Sequence, residues 1–204
     1  MTEVKKPKLS VGMPIYNAEK FLRNRLDSIL SQPFSDFELI ISDDASTDST
    51  SEICKEYLLK DKRIQYIRQE QNIGMSSNFY FVLDKANAKY FCWAAQDDIT
   101  LPGFIEKNID ALDNNENLIC SVSKIKFVGK VIDELIISKK DSKFKKIGKK
   151  IRKSLINVNT QSLTGSYENK VKKFLSNGGS SLAQYGIYKR DILKKSVKLP
   201  GFHG

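Results

Sequence analysis

Two pairs of adjacent aspartates are the residues most able to do chemistry in this chain. Asp97 and Asp98 follow the apolar run Tyr90-Phe-Cys-Trp-Ala-Ala95. Neighbouring carboxylates repel unless a cation shares them. A hard divalent ion with oxygen ligands, Mn2+ or Mg2+ bound together with a diphosphate, meets that need, and such an ion acts as a Lewis acid on a departing phosphate. The competing reading is a helix start, because Pro102 follows and acids favour helix N-termini; the residues alone leave both open. Asp43 and Asp44 close a second apolar run, Phe37-Glu-Leu-Ile-Ile41. Asp48 can cap the next helix, but capping gives no duty to two further acids upstream. A carboxylate there can accept from a nucleobase N–H or a ribose hydroxyl. Pro14-Ile-Tyr-Asn17 supplies a rigid turn, an aromatic face for a base to stack on and a side-chain amide, although an ordinary turn explains that motif by itself. Asn72-Ile-Gly74 is a common turn signal.

The elements that must carry these motifs alternate. Residues 9–13 read as a short buried strand stopped by Pro14. Residues 18–31 read as a helix with Asn17 as N-cap: Phe21, Leu22, Arg25, Leu26, Ile29 and Leu30 recur at helical spacing. A strand at 37–41, a helix to about 60, a strand at 64–67, a helix to about 86, a strand at 89–94 and a helix from Pro102 to about 112 follow. A further strand spans 118–128. The β-α-β alternation specifies a mostly parallel sheet with helices on both faces. Ligands in such sheets sit beyond the carboxyl ends of the strands. The Pro14–Asn17, Asp43–Asp44 and Asp97–Asp98 motifs all fall there, so they converge on one rim. The second half is less regular: Asn177-Gly-Gly-Ser-Ser181 reads as a loop, 185–188 as a last strand and 190–195 as a helical turn.

Composition narrows the class. The 204 residues suit one α/β domain, and 40% are hydrophobic, enough for a core. No run of about 18 apolar residues is present, so no membrane-spanning helix is expected. The start of the chain is polar and lacks the apolar segment of a secretory signal. Cys54, Cys92 and Cys120 are odd in number and widely spaced. They fit neither a disulfide framework nor a C-x-x-C site, and a cytoplasmic location follows. The single histidine, His203, excludes a multi-histidine metal site. The net charge of +10 is concentrated: residues 124–153 carry +9. Phe144, Ile147, Ile151 and Leu155 recur there at helical spacing, a pattern that fits a basic amphipathic helix on an anionic membrane surface. A solvated lysine-rich face is the plain alternative. With Phe127 and Phe144 as its only rings, the segment is poorly equipped to stack on bases, and no nucleic-acid partner is expected.

Taken together, the motifs resemble a family. Leu9-Ser-Val-Gly-Met-Pro-Ile-Tyr-Asn17, Ser28-Ile-Leu-Ser-Gln32, Phe37-Glu-Leu-Ile-Ile-Ser-Asp-Asp-Ala-Ser-Thr-Asp48, Asn72-Ile-Gly74, and Gln96-Asp-Asp98 with Leu101-Pro102 stand in the order and spacing of family 2 glycosyltransferases. The resemblance is strong over residues 8–125. It implies a GT-A (Rossmann-like) fold, with 1–204 a single domain: 8–125 the nucleotide-sugar-binding half and 126–204 a partial, irregular acceptor-side half. It also implies inverting, metal-dependent transfer of a sugar from a nucleotide donor, a UDP-sugar first, to a surface-polysaccharide or polyprenyl-linked acceptor. On this resemblance Pro14, Tyr16, Asn17, Asn72 and Gly74 line the donor site, and Asp44 reads the base with Asp43 beside it. Asp98 contacts the metal directly, and Asp97, a second metal ligand, lies nearer the ribose. Two departures stand out. Ala95 replaces the first acid of a fuller Asp-x-Asp-Asp pattern, and Ser77, Asn78 and Phe79 stand where an arginine is often found. The family's general base is expected beyond Gly204. Asp191, next to Arg190, is the one late candidate, and an ion pair on the surface is the expectation for it. The alternatives are a donor-binding but catalytically inactive truncated fragment and a sugar nucleotidyltransferase, which needs a Gly-rich basic loop that residues 14–20 do not supply.

Overall fold

A computed structural model describes residues 6–123 and 185–197. The basic segment 124–153, its apolar stripe and the 177–181 loop lie outside the described residues. The elements run β1 (Leu9–Ile15), α1 (Glu19–Leu30), β2 (Phe37–Asp43), α2 (Thr50–Lys60), β3 (Ile64–Arg68), α3 (Met75–Lys85), β4 (Tyr90–Trp93), α4 (Phe104–Asp113), β5 (Cys120–Val122), β6 (Gly186–Lys189) and α5 (Arg190–Ser196). They build a six-stranded sheet of order β3-β2-β1-β4-β6-β5. The first four strands in that order are parallel, and β6 is antiparallel to both its neighbours.

Every residue of β1 and β2 is buried, as strands covered on both faces must be. Strand alternation divides their side chains. Leu9, Val11, Met13, Ile15, Leu39 and Ile41 face a core shared with Leu22, Leu26 and Ile29 of α1, Ile53 and Tyr57 of α2, and Ile105, Ile109 and Leu112 of α4. Ile40 and Phe91 face the other way, against Val82 and Leu83 of α3 and Leu193 of α5. Gly12 points to this second face. A Cβ there would lie 2.7 Å from the Phe91 ring and 2.8 Å from Val82, so only glycine lets α3 pack this close. Each aliphatic side chain buried by α1 contributes about 1.5–3 kcal/mol.

The order places β1 between β2 and β4: the chain runs outward from β1 through β2 and β3 and then crosses back to β4 on the other side of β1. That reversal is the crevice where parallel sheets bind ligands. Register sharpens it: Ile15, Asp43 and Arg68 are level at the tips of β1, β2 and β3, whereas pairing to β4 stops at Gly12–Trp93. The chain after β4 therefore has room to fold over the tip of β1.

Three local readings change. Pro14 continues β1, opposite Ser42. Its missing N–H is tolerated because β4 no longer pairs beside it. Asn17 is not the cap of α1. That position is Ala18, and Asn17 adopts φ 47° and spends its side chain elsewhere. Pro102 precedes α4, whose N-cap is Gly103 at φ 78°.

Candidate donor site at the strand tips

The β1 tip is tied to the start of α2. The Asn17 N–H donates to Ser46 Oγ at 2.9 Å, and Asn17 Oδ1 accepts from the Thr47 N–H at 2.9 Å. Ala18 N–H donates to Thr50 Oγ1 at 2.7 Å. Asp48 Oδ2 accepts from the Glu19 N–H at 3.2 Å while Glu19 Oε2 accepts from the Ser49 N–H at 2.9 Å, so the two helix starts cap each other. Asp48 Oδ1 also accepts from the Thr50 N–H, on its own helix. Tyr16, one residue before Asn17, is 45% exposed.

Asp43 and Asp44 are not open rim acids. Asp43 is fully buried. Its Oδ1 accepts from Ser46 N–H, and its Oδ2 from the Tyr66 hydroxyl at 2.8 Å and Arg68 Nη1 at 3.1 Å. Asp44 is 2% exposed and accepts from the backbone N–H groups of Ile73 at 2.7 Å and Gly74 at 3.1 Å. It thus holds the Asn72–Gly74 turn against the tip of β2. Asn72 Oδ1 also accepts from Gly74 N–H at 3.0 Å, and Gly74, at φ 86°, caps α3. The expectation for Asp44 was direct contact with a base; in the structure its partners are these backbone donors. One turn into α3, buried Asn78 donates from Nδ2 to Ser42 O at 2.9 Å, joining the helix to the same tip.

Across the crevice, Gln96 returns the chain from β4 to β1. Its Oε1 accepts from the Tyr16 N–H at 2.9 Å, and its Nε2 donates to Tyr16 O at 3.3 Å. Asp97 is exposed, and Asp98 is half-buried with Oδ2 buried and unpartnered. Neither acid caps α4, which starts after Gly103 and has no side-chain cap; the helix-start reading is thereby removed. The turn that carries the acids is held by α1 and the residues just past its end. Arg25 Nη1 donates to Thr100 Oγ1 at 2.7 Å. Ser28 Oγ accepts from the Thr100 N–H at 3.2 Å, and Gln32 Nε2 donates to the carbonyls of Thr100 and Leu101 at 3.1 and 3.2 Å. Burial pushes the Asp98 carboxyl above the usual range; the Arg25 charge opposes that rise and Asp97 adds to it. Burial likewise lowers Arg25, against the pull of Asp98.

Residues 10–174 match the family model described as glycosyl transferase family 2. The chain belongs to this family. It is 34% identical over 169 residues to the uncharacterized glycosyltransferase MJ1057 of Methanocaldococcus jannaschii, covering 80% of this chain and 58% of that protein. Its structure is similar to that of residues 1–349 of S. aureus TarS in complex with UDP-GlcNAc (TM-score 0.61, 19% identity, 93% of this chain and 47% of that one). It is also similar to the mannosyltransferase PcManGT of Pyrobaculum calidifontis in complex with GDP-Man and Mn2+ (TM-score 0.54, 18% identity, 64% and 39%). The sheet is thus the GT-A sheet of glycosyltransferases.

The chemistry of the acid pair is compatible with a bound cation. A buried carboxylate oxygen without a donor is costly, and Asp98 Oδ2 is one. Among the described residues no group of three or more His, Cys, Asp or Glu gathers. A hard ion held here would therefore complete its shell with phosphate oxygens and water, as Mg2+ commonly does. Cys54, Cys92 and Cys120 are free, and burial pushes each thiol up to about 12, which removes them as nucleophiles at neutral pH.

The fold rules out Asp191 as a partner for these acids. Because β6 runs against β4, Lys189 pairs with Tyr90 at the amino end of β4. Arg190 N–H donates to Lys89 O, and Arg190 Nη1 donates to Ala86 O. Asp191 follows at that end of the sheet, 76% exposed at its side chain and 2.7 Å from Arg190 Nη2. Tyr185, four residues before Lys189, lies at the donor end instead, since Gly186 pairs with Val122 at the carboxyl end of β5.

Sequence reasoning gave no role to Arg25, Asn78, Ser28 or Gln32 beyond the pattern they sit in. Arg25 carried a signal: a charged residue inside the apolar stripe of α1. Asn78 carried the same kind, one turn before the buried Val82 on α3.

Proposed function

We propose that this family 2 protein binds a nucleoside diphosphate sugar across the β1–β4 crevice. It then transfers the sugar, with inversion, to a hydroxyl of a glycan or polyprenyl-linked acceptor. The observation that carries this is the Asp97–Asp98 pair, with the buried, unpartnered Oδ2 of Asp98, on the loop that Gln96 ties to the backbone of exposed Tyr16. The Tyr16 ring offers a stacking face for the base. The backbone of the Asn72–Gly74 turn, held by Asp44, forms the wall beside it. Asp97 reaches toward the ribose, and Asp98, with Asp97, would hold Mn2+ or Mg2+. Such an ion, when bound, offsets the charge that builds on the leaving diphosphate. The TarS complex with UDP-GlcNAc supports a uridine donor, and the PcManGT complex with GDP-Man and Mn2+ supports the metal.

Inverting transfer also needs a base for the acceptor proton. Asp191 faces the wrong end of the sheet, and we assign the base to a residue outside those described. The basic segment 124–153 is read as the part that docks on anionic lipid at the cytoplasmic face of the membrane, where each lysine contributes on the order of 1 kcal/mol. Among the described residues no helix is long and apolar enough to cross a membrane.

Titration calorimetry with UDP tests the donor site. Binding is expected to weaken strongly in EDTA relative to Mn2+, and Asp98→Ala should reproduce the EDTA value in either buffer. Equal affinity with and without metal in the wild-type protein overturns the reading. Sedimentation with vesicles tests the membrane claim: binding should need anionic lipid and fade with salt.

A further inference from the structure

Among the described residues Arg25 is the one buried arginine, at 5% exposure. Burying a guanidinium is costly unless charge and hydrogen bonds repay it. Here the repayment is incomplete: Nη1 donates to Thr100 Oγ1, but Nε is buried without an acceptor. Thr100 is two residues past Asp98, whose Oδ2 is likewise buried and without a donor. The Thr100 contact sets the guanidinium against the turn that carries exposed Asp97 and half-buried Asp98, and its charge acts on both acids without forming an ion pair with either among the described residues. Each charge opposes the effect of burial on the other.

We infer that Arg25 is a built-in counter-charge to Asp97 and Asp98, which weakens the binding of a bare divalent cation and reserves the site for a cation arriving with a diphosphate. This rests on the donor-site reading above. A bare ion adds two positive charges beside a fixed third. An ion carrying a diphosphate adds net negative charge, which the guanidinium favours. The sign is diagnostic: ordinary structural damage at the turn can only loosen cation binding, whereas removal of the counter-charge tightens it.

The test uses Mn2+ alone, followed by the loss of its free-ion EPR signal on titration into the protein. Arg25→Met and Arg25→Gln both remove the charge, and a neutral chain of similar length replaces an incompletely bonded guanidinium, so at least one should fold. Either is expected to bind Mn2+ about tenfold more tightly than wild type, the direction that removing a nearby like charge from a cation site must give. Arg25→Lys keeps the charge and should stay near the wild-type value. Adding Asp98→Asn to Arg25→Met should abolish the gain. Unchanged or weaker Mn2+ binding in the folded neutral variants overturns the inference while leaving the donor site standing. If wild-type UDP binding is indifferent to metal, the donor-site reading falls and this inference falls with it.

Discussion

Gln96 holds the backbone of Tyr16 by both ends of its side-chain amide, at 2.9 and 3.3 Å. The loop after β4 and the tip of β1 are thereby one unit, although eighty residues separate them. The exposed ring and the acid pair owe their relative placement to this contact. Gln96→Ala should cost donor binding about 1 kcal/mol, the scale of a net hydrogen bond, with little change in melting temperature. Calorimetry with UDP decides it: wild-type affinity in the variant would show that the amide does not position the site.

Asp44 holds the Ile73–Gly74 turn against the tip of β2. Asp44→Ala should lower the unfolding free energy by about 1–3 kcal/mol, because the Ile73 N–H loses its acceptor in a partly buried turn. Asp44→Asn keeps one acceptor oxygen and should recover part of that loss. Urea unfolding measures both, and unaltered midpoints would return Asp44 to the role of a free rim acid.

Asp113 gives stability a pH dependence. Burial, the largest single influence on it, acts to raise its carboxyl. The hydrogen bonds from Lys8, Tyr90 and Lys89 outweigh burial and hold it at about 2. An unfolded aspartate titrates near 3.9, about two units higher. The contribution is therefore fully present above about pH 4 and disappears as pH falls through about 2. Asp113→Asn should be less stable than wild type at pH 6, and the gap should close toward pH 2.5. A gap that is constant over that range contradicts the assignment.

Asp191→Ala should leave sugar transfer essentially unchanged. Loss of a general base costs roughly 10²–10⁴-fold, so the assay separates the two roles easily. A loss of that size in a folded variant would place Asp191 in the chemistry and contradict the strand direction of β6.

Much of the fold was legible because its signals are local. Apolar runs at 37–41 and 90–95 are strands in any parallel sheet, and turn residues after each announce the rim. The period of α1 was equally plain. Boundaries were less legible: Pro14 reads as a stop, yet β1 carries on through it, because whether a missing N–H matters depends on which neighbour is still paired.

The sequence by itself determined the strand–helix alternation, the rim on which Tyr16, Asp44 and Asp98 gather, and the family. Each of these rests on residue type and short-range spacing. Only the tertiary structure decided which partners each acid meets. Asp43, Asp44, Asp97 and Asp98 are alike as letters. The first two meet donors from β3 and the Ile73–Gly74 turn and are satisfied inside the protein. Asp98 is left with a buried oxygen that no donor reaches. The direction of β6 likewise put Asp191 at the far end of the sheet. Such differences come from partners tens of residues away, and no local pattern encodes which carboxylate the fold will leave unpaired.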